Sequence, residues 1–492
     1  MSIAVSFPLL VVRELEFGVR PVRLRLPFRF GAVTLRACPQ LFVRARVEFG
    51  GATHAGVAAE MMVPKWFDKR AERSQRENVE HLARSCERAR AAYLGDALAA
   101  PFGLFARHYD ALMRDGERAG ATALSSAYGQ AVIDRAVLDA VCRGLGLSFF
   151  QAAAANAFGL RDDALIADLH GHDWNAWLPR LGPLRRIRVR HTVGLLDELD
   201  SVRIADDGLP ASLLAVIERY GVGVFKIKLG GDAAADIERL AAVLAVLDAR
   251  APGHRYSLDG NEQYRDAGAL RELFDRLRAL PAYAARPDAL LYLEQPLARD
   301  ASMSAALRAL QAPMPLLIDE ADGTLDAFVH ASEFGWRGVS SKSCKGLYKA
   351  LVNRARCDRW NAQAERSGEA ARFFMSAEDL TCQAGLSVQQ DLALLALLGL
   401  SHSERNGHHY GDGFGAAPAA EADAFAAAHP DLYARDAGRP RLRIERGTLA
   451  IDSLHAPGFA HAAGTFDFGA AALRPLAAAA TMLDDAPQEA AA

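Results

Sequence analysis

The sequence predicts an α/β fold, a (β/α)₈ barrel behind an N-terminal α+β capping domain, and three observations carry that expectation. First, eight short β-rich runs recur at residues 187–193, 224–229, 256–259, 290–294, 316–320, 338–342, 373–376 and 400–404. Second, helical stretches such as 232–249, 267–279 and 388–398 lie between them, and successive starts fall 22 to 37 residues apart, the length of one βα unit. Third, residues 1–60 read as a hairpin or meander, followed from Asp68 to about Arg114 by a helical pattern. Eight βα units close into a barrel more readily than they form an open, doubly wound sheet, the competing architecture.

The elements follow in order. Residues 41–48 alternate before the Gly50-Gly51 turn, a second strand follows at 54–58, and the apolar start at 4–12 reads as a first strand, not a leader. Residues 131–144 form an amphipathic helix, and 160–185 a connection containing Trp and Pro. Beyond the barrel come an Ala-rich helix, then strand, turn at Gly447 and strand across 440–452. The expected domains are thus a cap at 1–124, the barrel at 125–415, a segment at 416–470 returning to the cap, and a disordered tail at 471–492.

Bulk properties exclude several classes of function. A net charge of −3 offers nucleic acid no electrostatic footprint. No apolar run reaches the roughly 20 residues needed to span a bilayer. Six scattered cysteines without a CxxC pair suit reduced thiols in a cytoplasmic protein. Gly221-Val222-Gly223 precedes its strand, so it is not a dinucleotide fingerprint.

The chemistry lies in the charges that end the runs. Buried parallel strands should be apolar on both faces. Here five consecutive runs end in Lys228, Asp259, Glu294, Asp319 and Lys342, at the barrel end where active sites form. In Val224-Phe225-Lys226-Ile227-Lys228-Leu229, period-2 geometry puts Lys226 and Lys228 on the inward face. Mutual repulsion and burial should depress both lysines towards general-base duty. Asp259, Glu294 and Asp319 end adjacent strands, and three converging carboxylates select a hard cation, Mg²⁺ or alternatively Mn²⁺. Glu320 competes with Asp319 as third ligand, because strand phasing admits either. Asn261, Glu262, Gln295 and Glu320 suit supporting roles around the ligands. Lys342 ends a strand diametrically opposite that of Lys228, with Lys345 as its competitor.

These residues resemble the enolase superfamily, in particular muconate-lactonizing enzymes, dipeptide epimerases and mandelate-racemase-like members. The resemblance spans nearly the whole chain through Lys226-Ile227-Lys228, Leu258-Asp259-Gly260-Asn261, Leu293-Glu294-Gln295-Pro296, Ile318-Asp319-Glu320 and Ser341-Lys342. It implies metal-assisted removal of a proton next to a substrate carboxylate through an ene-diolate, with Lys228, Lys342 and Lys226 as catalytic residues. It also implies that loops near 31–36 and 61–66 cover the substrate, and that 442–459 returns to the cap. Racemisation or epimerisation is the leading expectation; β-elimination, cycloisomerisation and a non-catalytic metal-binding barrel are the alternatives. The expected partners are a small carboxylate substrate and further copies of the chain in a homo-oligomer, with no nucleic acid and no membrane.

The chain departs from better-known members in two places. Strand seven, Phe374-Met375-Ser376-Ala377-Glu378-Asp379, lacks the histidine of mandelate racemases. The segment Glu404-Arg405-Asn406-Gly407-His408-His409-Tyr410 does not match the Asp-x-Asp signature of many dipeptide epimerases. Glu378, Asp379 and Glu404 are therefore candidates to hold a cationic substrate group, and His408 to protonate a leaving group.

Overall fold

In the computed structural model, which describes residues 7–370 and 372–483, the first layer is an antiparallel sheet. Its strands are β1 (Val11–Phe30), β2 (Val33–Phe49) and β3 (Ala52–Met61), in chain order. The part of the expected first strand before Phe7 lies outside the described residues. Helices α1 (Gln75–Leu94), α2 (Pro101–Arg118) and α3 (Ala123–Leu145) cover this sheet, and Ser74 opens α1 with a capping box to Glu77. Gly56 lets α3 lie directly on β3, because a Cβ there would sit 2.1 Å from the Ala140 nitrogen.

The barrel strands are β4 (Arg186–Val193), β5 (Val224–Lys228), β6 (Arg255–Asp259), β7 (Leu290–Glu294), β8 (Leu316–Ile318), β9 (Gly338–Ser341), β10 (Phe374–Ala377) and β11 (His402–Glu404). They run parallel in sequence order, and β11 pairs with β4 to close the ring. The capped (β/α)₈ barrel expected from the sequence is the fold observed. Residues facing outward from β5 and β6, such as Phe225, Ile227 and Leu258, pack into the core shared with the surrounding helices.

Three details correct the sequence-based expectations. The expected boundary at 124/125 falls inside α3, whose contacts with β2, β3 and α1 place it with the cap. The C-terminal hairpin is Tyr433–Asp436 with Arg439–Leu442, while Thr448–Ala450 pairs with β4 of the barrel. The expected disordered tail is partly packed: Arg474–Pro475 pairs with β1, and Leu476 and Met482 are buried. Small residues there suit a close fit against the sheet; residues 484–492 lie outside the described ones. No helix among the described residues is long and apolar enough to cross a membrane.

A buried ion pair joins the cap to the barrel. Arg135 of α3 donates to Glu60 of β3 at 2.9 Å, and Ser343 after β9 donates to the same carboxylate at 2.8 Å. Arg135→Leu would strand Glu60 without its cation and should cost about 3–5 kcal/mol in urea unfolding, as breaking one side of a buried pair does. An unchanged urea midpoint would mean that this joint contributes nothing to stability.

Candidate active site

Pairing register puts the charged strand ends at one level. Lys228 lies opposite Asp259, and Asp259 opposite Glu294, across β5, β6 and β7. Asp319 follows the last residue of β8, and Lys342 the last residue of β9. Gly260 permits the close approach of the turns after β6 and β7, since a Cβ would meet the Pro296 Cα at 2.6 Å. Gln295 accepts hydrogen bonds from the Asp319 and Ala321 amides, and so shapes the loop that presents Asp319.

Lys226 stands at the centre. Its Nζ lies 3.0 Å from Asp259, 2.9 Å from Glu294, 2.8 Å from Glu378 and 3.1 Å from Glu404. Burial opposes its charge, yet Asp259, Glu294, Glu378 and Glu404 together hold its pKa well above the ordinary lysine value. The expectation that Lys226 would be depressed is therefore corrected: four acids from other strands outweigh the cost of burial. Lys228 donates to Asp259 at 2.6 Å and to Asn261 at 2.8 Å. Lys342 donates to Asp319 at 2.6 Å, and despite burial this carboxylate raises its pKa.

The donor set fits a hard divalent cation. Burial would raise Asp259 and Asp319, but Lys226 and Lys228 hold the first below the usual carboxylate range, and Lys342 and Lys345 hold the second well below it. Glu294 behaves oppositely: burial, then repulsion from Asp259 and Glu378, pushes it well above that range. Its Oε2 has no hydrogen-bond partner among the described residues, although Lys226 Nζ lies within 2.9 Å. A buried acceptor amid crowded carboxylates is the arrangement a cation relieves. Asp319, not Glu320, faces this centre; Glu320 is turned to Lys69 at 2.7 Å and to Asn261 at 3.3 Å.

Above these groups lies a small cavity of about 20 Å³ whose lining includes Lys226, Lys228, Lys342, Glu404 and Asn261. The cap roofs it with Phe28, Phe30, Val63 and Trp66. Lys342 Nζ sits 4.1 Å from the Trp66 ring centre, and Lys228 Nζ 5.7 Å from that of Phe28. The 61–66 loop thus covers the site as expected, while Phe28 and Phe30, and not 31–36, supply the other cover. Trp66→Leu should lower kcat/KM by about five- to thirtyfold, matching the loss of a cation–π contact of roughly 1–2 kcal/mol. Trp66→Phe should fall between the two; equal losses in both variants would show that packing alone matters.

The remaining expected residues divide. Glu404 lines the cavity and accepts from Thr192 at 2.6 Å. Asp379 also borders it, but its carboxylate is engaged by the Cys382 and Gly407 amides. Glu378 lies below, bound by Arg190 and Lys226 and accepting from Tyr292, so its charge is already matched and unavailable to a substrate cation. Lys345 donates to Ser340 and to the Asp319 carbonyl and does not line the cavity. Glu262 is held by Arg299 and Lys69. His408 is the clearest correction: it is absent from the cavity lining, packs 5.2 Å from the Tyr220 ring, and burial pushes its pKa well down, away from general-acid duty towards a leaving group.

Sequence reasoning passed over Arg190, Thr192 and Tyr292. Arg190 and Thr192 alternate on β4 as Lys226 and Lys228 do on β5, so the same period-2 argument would have found them.

Comparison with known proteins agrees with this fold. Residues 209–364 match the family model described as enolase C-terminal domain-like. No curated protein sequence matches the chain. Among solved structures, muconate lactonizing enzyme from Pseudomonas fluorescens, complexed with muconolactone, superposes with TM-score 0.56 at 16% identity, covering 92% of this chain and 96% of that one. The L-Ala-D/L-Glu epimerase from Bacillus subtilis gives TM-score 0.53 at 16% identity, over 92% and 98% of the two chains. An enolase from Bradyrhizobium, complexed with magnesium and mandelic acid, gives 0.56 at 16% identity, over 92% and 96%. At such identities the likeness is one of fold, and the resemblance expected from the strand-end motifs is borne out.

Proposed function

We propose that this enolase-superfamily chain removes the proton α to the carboxylate of a small organic acid and returns one to the opposite face, as a racemase or epimerase. The observation that carries this reading is the pair Lys228 and Lys342, which line one small cavity from strands four places apart in an eight-stranded ring. Asp259, Glu294 and Asp319, on the three strands between, would hold Mg²⁺, in keeping with the general habit of the superfamily. Bound there, the ion would supply Lewis-acid stabilisation of the substrate carboxylate as its α-proton leaves.

The chain's own residues perform the rest. Lys226 fixes the carboxylate side of the substrate by charge, while Glu378 and Glu404 keep it protonated. One of Lys228 and Lys342 takes the α-proton as an amine, which for Lys342 requires Asp319 to be engaged by the ion instead; the other, as an ammonium, delivers a proton from across the cavity. Phe28, Phe30 and Trp66 exclude water, which strengthens every charge interaction below them. Incubating metal-loaded protein with acid sugars, dipeptides and N-acyl amino acids in D₂O, with NMR detection, tests the proposal. Deuterium entering the α-position without loss of a leaving group is the expected result. Release of water from the substrate would identify a β-elimination instead.

A further inference from the structure

We propose that His191, Asp197 and His409 form a second metal centre, separate from the strand-end carboxylates, that takes zinc or a similar borderline divalent ion. One potential ligand atom from each residue lies within 4.8 Å of the others. The three come from separate segments: β4, the loop after it, and the turn of helix Asn406–Tyr410 that follows β11. On β4 the side chains of Arg190 and Thr192 reach into the barrel, to Glu378 and Glu404. His191 lies between them in sequence and so points to the other face, where its ring meets Phe225. The cluster therefore lies behind the wall of the catalytic cavity, and none of its members lines that cavity.

Two further observations point to a ligand. His191 and His409 are only 4% and 6% exposed, and their rings lie 4.7 Å apart, so two imidazoles converge where water is largely excluded. The carboxylate is also oriented: Asp197 Oδ2 accepts from the Gly194 amide at 2.8 Å and the Tyr410 hydroxyl at 2.7 Å, leaving Oδ1 free of hydrogen bonds among the described residues. Such outer bonds commonly aim a metal ligand. Burial lowers both histidines, His191 to about 4, so each imidazole is neutral at physiological pH, the form that binds metal. Arg25, which donates to the His409 carbonyl at 2.9 Å, adds positive charge nearby, but its guanidinium is paired with Asp207.

Two imidazoles and one carboxylate are a zinc donor set, whereas Mg²⁺ prefers oxygen throughout. Donor atoms on tetrahedral zinc lie about 3.3–3.5 Å apart, so binding would draw the 194–198 loop and the 406–410 turn slightly together. The fourth position is left to water. Because Asn406, at the start of that turn, lines the catalytic cavity, the ion would steady one edge of the cavity without taking part in chemistry.

The test uses full-length protein stripped with chelator, saturated with Mg²⁺, then given zinc and desalted. One zinc retained per chain over the magnesium, with a raised Tm, is expected. His191→Gln and His409→Gln should each weaken zinc binding by more than the roughly 10–100-fold that losing an outer partner costs a metal site. Cobalt(II) in place of zinc should show an absorption spectrum of nitrogen ligation in wild type that is lost in both variants. No retained zinc in wild type, or undiminished zinc in both histidine variants, overturns the assignment. Asp197→Asn, isosteric and outside the barrel wall, covers the case in which a buried histidine variant does not fold; it too should lose zinc, and full retention would overturn the proposal.

Discussion

Lys342→Ala should block deuterium uptake from one stereoisomer of the substrate while leaving uptake from the other, and Lys228→Ala should show the reverse preference. Each loss should be about 10²–10⁴-fold, the usual contribution of a positioned general base. The argument rests on barrel geometry. β5 and β9 face each other across the ring, and β6, β7 and β8 between them present the carboxylates to which a substrate carboxylate would be tied through the cation. A substrate fixed at that end in so small a cavity cannot turn over, so each lysine reaches only the α-hydrogen on its own face. Lys228→Met, which keeps the apolar stem, should behave like the alanine variant and remain folded. Equal loss of exchange with both isomers in both variants would defeat the two-base scheme. One lysine would then be the base of an elimination, and the other a stabiliser of charge.

Asp259→Asn and Glu294→Gln should each abolish Mg²⁺ binding in calorimetry and, with it, turnover, several kcal/mol of transition-state stabilisation being lost. The fold should survive, because Lys226 keeps Glu378 and Glu404 as partners in either variant. Glu294→Gln adds a distinguishing effect on stability in magnesium-free protein. The Glu294 carboxyl has a folded-state pKa well above the usual value, from burial and from its acidic neighbours. A raised carboxyl pKa means that the folded state binds more protons than the unfolded state, so wild-type stability falls as pH rises above the ordinary glutamate range. Glu294→Gln removes that penalty, and its Tm relative to wild type should rise with pH. A difference in Tm that stays flat between pH 5 and pH 8 would contradict the electrostatic account, and unchanged Mg²⁺ affinity in both variants would remove the metal assignment.

The barrel was legible because its strands end where an apolar run is broken by charge, and Lys228, Asp259 and Glu294 fall at matching levels in the observed register. What the sequence could not convey was who meets whom. Lys226 and Lys228 are two residues apart, so their repulsion is visible in the chain, whereas the four acids around Lys226 come from β6, β7, β10 and β11. Long-range pairing therefore reversed the direction of a locally reasoned pKa. His408 failed for a related reason. A run of functional groups after β11 marks an active-site loop, but which side chain turns inward depends on the short helix Asn406–Tyr410, where Asn406 borders the cavity and His408 does not. The aromatic cover was half legible: the 61–66 loop was anticipated, while Phe28 and Phe30 lie on a long strand whose tip reaches the barrel only in three dimensions.

The roof over the lysines separates two traits that evolution or an engineer can vary independently. On the proposed reading, proton transfer resides on strand ends, held by an ionic lattice in which any change disturbs several neighbours. The shape of the acceptable acid is written largely by Phe28, Phe30, Val63 and Trp66, four apolar side chains contributed by another layer of the molecule. A library confined to Phe30 and Val63, which leaves the Phe28–Lys228 and Trp66–Lys342 contacts in place, would sample new acids on the proposed reading while leaving the two lysines undisturbed.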